Sequence, residues 1–263
     1  MVYSLNPSHL IVPLALLCSV ALAGCQGGPA PMKSLAVASA KPKVQPSDED
    51  VFARDLQRAL IPQMLAANVQ NLSGTLDLWI TLNRAYEPVA CEARKSRHPS
   101  AIGFAQPSAL SALAVRQCWN MIYPKAPGSW FGDDDELEIV APLVFSMTEY
   151  SKSEQHQRRL QDAAQSQFFW DQVFAGQPLD SIGVAGFRYQ AGVTGRVEGC
   201  LVSLEPSVLR ADAFKFDSQL QQRLTRLCNA LDLKQMPGFA TDEAGVARGL
   251  VGVEYAPWKG RAH

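Results

Sequence analysis

The sequence predicts an α+β protein of two tandem modules, each a small three-stranded antiparallel sheet packed against helices. Cys91 and Cys118 are 27 residues apart (118 − 91), and Cys200 and Cys228 are 28 apart (228 − 200), so one spacing occurs twice. A glycine precedes the first cysteine of each pair by 17 residues (91 − 74 and 200 − 183). Segments typical of helices and strands follow in the same order around each pair. Self-similarity at a fixed spacing indicates an internal repeat.

Two helices and three strands are predicted in the first copy. In TLDLWITL the aliphatic residues alternate with Thr75, Asp77, Trp79 and Thr81, which is typical of a half-buried strand. Pro62 marks a break or kink in the leading helix. Ser108 is predicted to cap the second helix, which ends at Pro124. The order is helix, strand, strand, helix and strand, over residues 49–70, 75–82, 88–96, 109–123 and 136–146.

The second copy is predicted to repeat this order. Its leading helix ends at Gly176, and a glycine-containing turn joins its first two strands. The cluster TDEAG supplies a turn before the closing strand. The five elements are predicted over residues 153–176, 184–191, 195–204, 217–233 and 249–258.

The N-terminus has the pattern of a secretory signal. Residues 10–23 carry no charge, and the run is too short for a typical membrane-spanning helix. Leu22-Ala23-Gly24-Cys25 resembles the lipobox of bacterial lipoproteins, which implies that Cys25 is lipidated. By resemblance to lipoprotein sorting, Gln26 implies delivery to the outer membrane, with the folded part in the periplasm. An ordinary signal peptide or a buried hydrophobic N-terminus is the alternative.

Composition sets the domain organisation and limits the partners. Residues rich in Pro, Ala, Ser, Gly and Lys follow Cys25 and are predicted to form a flexible tether. The net charge of −1 argues against nucleic acid or a polybasic contact with the membrane. No later apolar run reaches 18 residues, so the lipid anchor is the predicted membrane contact. The predicted units are a signal peptide, a tether, two modules and a tail, at 1–24, 25–48, 49–148, 149–258 and 259–263.

The four cysteines of the folded region are predicted to form two disulfides. In each copy one cysteine lies in the second strand and the other on the inward face of the next helix, where two Cα atoms can approach to roughly 5 to 6 Å. An oxidising periplasm closes such pairs. Of three possible connectivities, the repeat selects Cys91–Cys118 and Cys200–Cys228. A metal site is the weaker alternative because the spacing is far from C-x-x-C and no histidine accompanies either pair.

Short motifs resemble the C-terminal domain family of TolA and TonB. In the first copy, residues 123–127, YPKAP, are similar to the family's aromatic-Pro-Lys step, and 141–145, APLVF, to its closing APL-x-F. In the second copy, GRVEGCLVSLEPS is similar to G-x-V-x-x-C-x-V followed by a polar turn. The resemblance covers roughly residues 49–257. It implies a protein that binds other envelope proteins, often through an extended peptide that pairs with a sheet edge.

We therefore expect an interaction adaptor and not an energy transducer, because transducing members use a membrane helix that a lipid anchor does not replace. A structural subunit of an envelope or secretion assembly is the first alternative. A cell-wall-acting enzyme is the second, and it lacks a recognisable constellation of catalytic side chains. No cofactor and no metal is predicted.

Two groups of side chains are candidates for partner binding. Trp79 lies on the polar face of its strand, where it either contacts a partner or is covered by the leading helix. Trp130 and Phe131 precede the acidic residues Asp133 and Asp134 in a loop. An exposed aromatic pair beside acids suits a basic partner. The alternative is a solvated loop held by one aromatic side chain.

Overall fold

The computed structural model describes residues 46–96, 108–145 and 153–261. Cys25 and the preceding signal-like segment lie outside these residues, as does the predicted tether up to residue 45. The α+β prediction is confirmed: the described chain contains two separate three-stranded antiparallel sheets packed with four α-helices.

Module 1 has its central strand first in sequence. The strand order is β2-β1-β3, and β1 pairs antiparallel with both neighbours. A capping box at Ser47 begins the first helix: the Ser47 hydroxyl accepts from the Asp50 N–H, and the Asp50 carboxylate accepts from the Ser47 N–H. The elements are α1 (Asp48–Ala67), β1 (Gly74–Asn83), β2 (Pro88–Arg94), α2 (Ser108–Asn120) and β3 (Glu136–Phe145).

Module 2 repeats this topology, with the strand order β5-β4-β6. Its leading helix continues into a wider π turn over Trp170–Phe174 and ends at Gly176, where the positive φ of 76° favours glycine. The elements are α3 (Glu154–Phe169), β4 (Gly183–Gly192), β5 (Val197–Glu205), α4 (Ser218–Asn229) and β6 (Val246–Tyr255).

Each module has its own hydrophobic core between one face of its sheet and its helices. In module 1, alternate residues of β1 from Leu76 to Leu82 are buried against Leu56 and Leu60 of α1. In module 2, the Phe169 ring lies 4.8 Å from the Phe187 ring, centroid to centroid. The alternation predicted from TLDLWITL is therefore the alternation between core and outer face.

The predicted disulfides are present. Cys91 bonds to Cys118 and Cys200 to Cys228, with Cα separations of 6.1 and 6.0 Å. Each bond joins the second strand of a module to the helix that follows it. The two pairs differ in environment, because Cys91 is half-buried whereas Cys200 is buried.

Module 1 differs from the prediction at two places. Of the break or kink predicted at Pro62, the break is absent, since α1 continues to Ala67 and buried residues on both sides of the proline anchor it. The second helix ends at Asn120 and not at Pro124. Met121, Ile122 and Tyr123 are consecutive and all fully buried. Three consecutive residues of a helix point in different directions and cannot all face the same core, so the chain leaves the helix here. The Tyr123 hydroxyl donates to the Cys118 carbonyl at 2.8 Å, and burial raises its pKa.

The modules pack against each other through a small apolar cluster. Ile122 of module 1 meets Ile182, Ala256 and Trp258 of module 2. The Trp258 indole N–H donates to the Met121 carbonyl at 3.0 Å. Because this donor and acceptor are both buried, their hydrogen bond fixes how the two modules meet.

A buried arginine makes a second contact between the modules. The guanidinium of Arg210 lies 4.4 Å above the Tyr86 ring and donates to the Ala85 carbonyl at 3.3 Å. Asp212 accepts from Arg210 at 3.1 Å and also lies 3.7 Å from Lys125. Burial opposes ionisation of Asp212, but the hydrogen bond and charge of Arg210, the charge of Lys125 and a backbone hydrogen bond together lower its pKa.

The chain after Trp258 continues onto module 1. The Gly260 N–H donates to the Asn120 side-chain carbonyl at 3.4 Å, and the Arg261 guanidinium pairs with the Glu87 carboxylate. Part of the predicted C-terminal tail therefore belongs to the surface of module 1, beside the end of α2.

Candidate functional site

The edges of the two sheets differ in how their backbone groups are satisfied. In an antiparallel sheet, alternate residues of an edge strand turn their N–H and C=O away from the neighbouring strand, where another strand can pair with them. The residues that β2, β3, β5 and β6 turn outward therefore show which edge remains available.

The β5 edge of module 2 is closed by side chains of α4. The Asn229 amide accepts from the Cys200 N–H at 3.0 Å and donates to the Cys200 carbonyl at 3.3 Å. The Gln221 amide donates to the Val202 carbonyl at 2.7 Å. Backbone groups that a strand would need are thus already bonded.

The β6 edge is closed in a similar way. The Ser166 hydroxyl of α3 lies 2.8 Å from the Gly252 carbonyl and 2.9 Å from the Asp162 carbonyl, and its one hydrogen can be donated to either. The Lys259 ammonium donates to the Glu254 carbonyl at 2.8 Å. Burial lowers the pKa of Lys259, while Glu254 acts in the opposite direction. A strand approaching β6 would have to displace both side chains.

Proline interrupts the β3 edge of module 1. Glu136 turns its backbone outward, since its carbonyl accepts from the Gly132 N–H and its N–H donates to the Asp134 carboxylate. Pro142 is an even number of residues further along the strand, so it occupies another outward position, where it has no N–H to offer. A proline at such a position is a common protection of an edge.

Among the described residues, nothing covers the β2 edge of module 1, and we call this edge open in that sense. Cys91 pairs with Ile80 and Ala93 with Leu78, the same register as Cys200 with Tyr189 and Val202 with Phe187. Cys91 and Ala93 therefore turn their backbone groups outward, as Cys200 and Val202 do. Within residues 46–96, 108–145 and 153–261, no side chain is hydrogen-bonded to the backbone of either residue.

The reason for this difference is found on the helix beside the edge. Counting from the second cysteine of each pair, Ser111 and Trp119 of α2 occupy the positions of Gln221 and Asn229 in α4. A serine side chain is too short to reach across as glutamine does, and an indole offers one donor and no acceptor. The helix of module 1 therefore lacks the two amides that close the edge of module 2.

A groove of about 660 Å³ lies between β2 and α2, and we call it the β2–α2 groove. Its strand side is formed by Cys91, Glu92 and Ala93. Arg261, from the chain after module 2, lies at the rim. The helix side consists of Ser111, Ala112, Val115, Arg116, Trp119 and Asn120. An unpaired strand edge beside a partly apolar groove is a geometry that can accept an extended peptide.

The negative and positive side chains of the groove differ in whether they already have an ion-pair partner. The Glu92 carboxylate accepts from the Arg94 guanidinium at 2.6 Å, and this hydrogen bond lowers the pKa of Glu92. Arg116 is exposed and makes no ion pair in the described part of the chain. The charge that remains available in the groove is therefore positive.

Trp79 lies outside this groove. It alternates with the buried residues of β1 and so occupies the sheet face opposite to the helices; the alternative that the leading helix covers it is wrong. The Arg94 guanidinium lies 4.0 Å from the centre of its ring. Trp79 lines a separate hollow of about 510 Å³ with Asp77, Arg94, Lys95 and Ser96. Its role in binding stays a prediction.

The loop aromatics pack against the core of module 1. The Trp130 ring meets Phe52 edge-on at 5.4 Å, and the Phe131 ring meets Tyr86 edge-on at 5.6 Å. Both rings are half-buried, so two aromatic side chains hold the loop. Asp133 and Asp134 are exposed, and Asp134 accepts from the N–H of Glu136. The two rings are thus only partly exposed, and the role of these residues in binding a basic partner stays a prediction.

The described residues contain no group of three or more His, Cys, Asp and Glu side chains placed to hold a metal ion. None of the described helices is long and apolar enough to cross a membrane. The residues that the sequence-based prediction missed are Ala93, Arg116 and Arg261. The contrast of Gln221 and Asn229 with Ser111 and Trp119 was visible in the repeat and could have pointed to the open edge.

Comparisons of the chain with protein-family models, with curated proteins and with solved structures find no match. The sequence pattern and the geometry of the chain itself are therefore what bear on its function.

Proposed function

We propose that this protein is a periplasmic lipoprotein anchored in the outer membrane that works as a protein–protein adaptor through its TonB/TolA-like modules. It is neither an energy transducer nor an enzyme in this proposal. Module 1 binds the partner as an extended segment that pairs with β2, and module 2 supports module 1.

The open β2 edge is the observation that supports this proposal most directly. No side chain of the described residues bonds to the outward backbone groups of Cys91 and Ala93, whereas β5 and β6 are covered by side chains and β3 contains Pro142. Main-chain pairing supplies affinity, and the adjoining groove supplies side-chain specificity. The motifs that resemble TolA and TonB independently favour an interaction protein of the cell envelope.

The proposed location is supported by the N-terminal pattern and by the cysteines. The lipobox-like Leu22-Ala23-Gly24-Cys25 favours lipidation, and Gln26 favours the outer membrane. Two disulfides are consistent with an oxidising compartment. Replacement of Cys25 with serine should release the protein from the membrane fraction. Continued fractionation with the membrane would contradict the anchor.

Photo-cross-linking in cells tests where the partner binds. A photoreactive residue replaces Ala112 in the β2–α2 groove or, as a matched control, Gln222 at the same position on α4. We expect an adduct of one defined mass from position 112 and none from position 222. Adducts from position 222 alone, or from neither position, would count against the adaptor. A ladder of many subunits would favour a structural role in an assembly.

Proline substitutions test whether the contact is strand pairing. In Ala93→Pro the outward N–H is lost while no β1–β2 hydrogen bond is removed, so the module should fold and the adduct at position 112 should disappear. Val144→Pro makes the same change on the β3 edge, which Pro142 already interrupts, and should leave the adduct intact. Equal effects of both variants would show that the β2 edge is not the binding element.

A further inference from the structure

We infer that the β2–α2 groove recognises an extended segment that carries an acidic side chain, and that the groove is completed by module 2. This inference rests on the proposed strand-pairing site and goes further, because it names the chemistry of the partner. It also explains why a module with closed edges is attached to one with an open edge.

The repeat shows how the groove is oriented. In module 2 the C-terminal part of the helix bonds to Cys200 through Asn229, and its N-terminal part bonds to Val202 through Gln221. By the same register, the Trp119 end of α2 lies beside Cys91, and the Ser111 end lies beside Ala93. Arg116 is one turn before Trp119, so it lies near the Cys91 end of the groove.

The positive charge is concentrated at that end. Arg116 has no carboxylate partner among the described residues. Arg261 forms one ion pair there, with the Glu87 carboxylate. The one carboxylate on the strand side, Glu92, is already bonded to Arg94. A segment with an acidic side chain here gains a charge-assisted hydrogen bond and displaces no existing ion pair at Arg116.

The rest of the groove, toward Ala93, favours small apolar side chains. Ala93, Ala112 and Val115 offer methyl groups and no charged atom. Because side chains of a strand alternate, every second residue of an added segment faces α2 while the others face the opposite side of the sheet. The fitting partner has apolar residues at alternate positions, an acidic residue toward the Cys91 end, and no proline where its N–H must donate.

The chain that follows module 2 forms part of the rim at the Cys91 end of the groove. The chain leaves β6, anchors Trp258 on the Met121 carbonyl, and bonds Gly260 to Asn120, which itself lines the groove. These contacts place Arg261 at the rim. The recognition surface is thus built from both modules, although in the described part of the chain it is module 1 that has an edge without side-chain hydrogen bonds.

Peptide selection on the whole mature chain tests the inference. The protein spans residues 25–263 with Cys25→Ser, and the probe is a displayed library of random ten-residue peptides. Wild-type protein should enrich Asp or Glu at one fixed position of an alternating apolar pattern. Arg116→Glu should reverse the preference to Lys or Arg at that position. Arg226→Glu, on the exposed side of α4 in module 2, is the matched control and should select the same peptides as wild type.

A selected peptide in which the acid is replaced by its amide should bind about fivefold more weakly, the usual contribution of an exposed ion pair. Binding should slow hydrogen exchange at the Cys91 and Ala93 amides and leave the Cys200 amide unchanged. A library with no enriched acid, a preference unchanged in Arg116→Glu, or no selected peptide would each overturn the inference. An adduct at position 112 in cells together with any of these results would preserve the adaptor and reject the acidic partner.

Discussion

The two modules share a topology but differ at the edge of the second strand. In module 2 two amides of α4 bond to the backbone of β5, whereas in module 1 the matched positions hold Ser111 and Trp119, and no described side chain bonds to the backbone of Cys91 or Ala93. Each side-chain hydrogen bond contributes about 1 kcal/mol. Two substitutions on one helix face are therefore enough to separate a protected sheet edge from one that can accept a strand.

This difference indicates how a duplicated unit can divide its tasks. An open edge is a risk of aggregation, which proteins usually limit by covering it. Here one copy keeps its edges covered and contributes packing and a segment of chain, while the other presents a single edge within a shaped groove. Substitutions that reduce or increase the difference between the two modules test whether they have divided these tasks.

The largest effect is expected where the modules are joined. Trp258→Ala removes a buried ring and leaves the Met121 carbonyl without its donor, so the free energy of unfolding should fall by about 3 to 5 kcal/mol. Urea denaturation measures this change. Trp79→Ala is the control, since this half-exposed ring mainly loses its contact with Arg94 and should cost about 1 kcal/mol or less. Similar losses in both variants would mean that the modules are not coupled through Trp258.

The disulfides should differ in how readily they are reduced. Cys91 lines the groove, whereas Cys200 is buried and its backbone is bonded to Asn229. A limiting amount of dithiothreitol should therefore open Cys91–Cys118 first, as read by alkylation and mass spectrometry. Loss of either bond should lower stability by about 3 to 4 kcal/mol for a loop of this length. Earlier reduction of Cys200–Cys228 would contradict the difference in accessibility.

The closed edge of module 2 should open when its amides are removed. Gln221→Ala with Asn229→Ala should lower the free energy of unfolding by about 2 kcal/mol in total and speed hydrogen exchange at the Cys200 amide. The exposed Gln222→Ala, beside them on α4, should change neither quantity. If the Cys200 amide keeps its protection in the double variant, the side chains do not close this edge.

The smallest effect is expected at β6. Ser166→Ala removes a donor to the Gly252 carbonyl. The free energy of unfolding should fall by only about 1 kcal/mol, because this site is partly exposed and water can replace the lost hydrogen bond. Ser203→Ala, an exposed serine on the outer face of β5, is the control and should be close to neutral. If the free energy of unfolding falls as much in Ser203→Ala as in Ser166→Ala, the contact with Gly252 does not specifically stabilise the protein.

Much of the fold could be predicted from local patterns. Alternation in TLDLWITL gave the face of β1, and the cysteine spacing gave both disulfides, because these depend on periodicity and on the repeat. The end of α2 could not be predicted in the same way. Ile122 and Tyr123 continue an apolar pattern, but they leave the helix to pack against module 2 and beneath α2, and such packing depends on distant residues.

The candidate site was harder to predict than the fold. Trp130 and Phe131 were predicted to bind a partner because they are aromatics in an acidic loop. Their rings pack on Phe52 and Tyr86. The open edge instead depends on side chains that are missing from α2, which only a position-by-position comparison of the copies can reveal. Arg261 lies in a segment that reads as a tail, and its contact with Glu87 requires the modules to be docked.

Trp258 follows the last strand, so the ribosome makes it after both sheets have been encoded. The disulfide of module 1 joins residues that precede module 2 in sequence, but the rim of its groove is contributed by residues that follow β6. A nascent or truncated protein would therefore present the β2 edge without Arg261. The groove is therefore complete only when module 2 has folded and docked, so the open edge acquires its full recognition surface together with its supporting module.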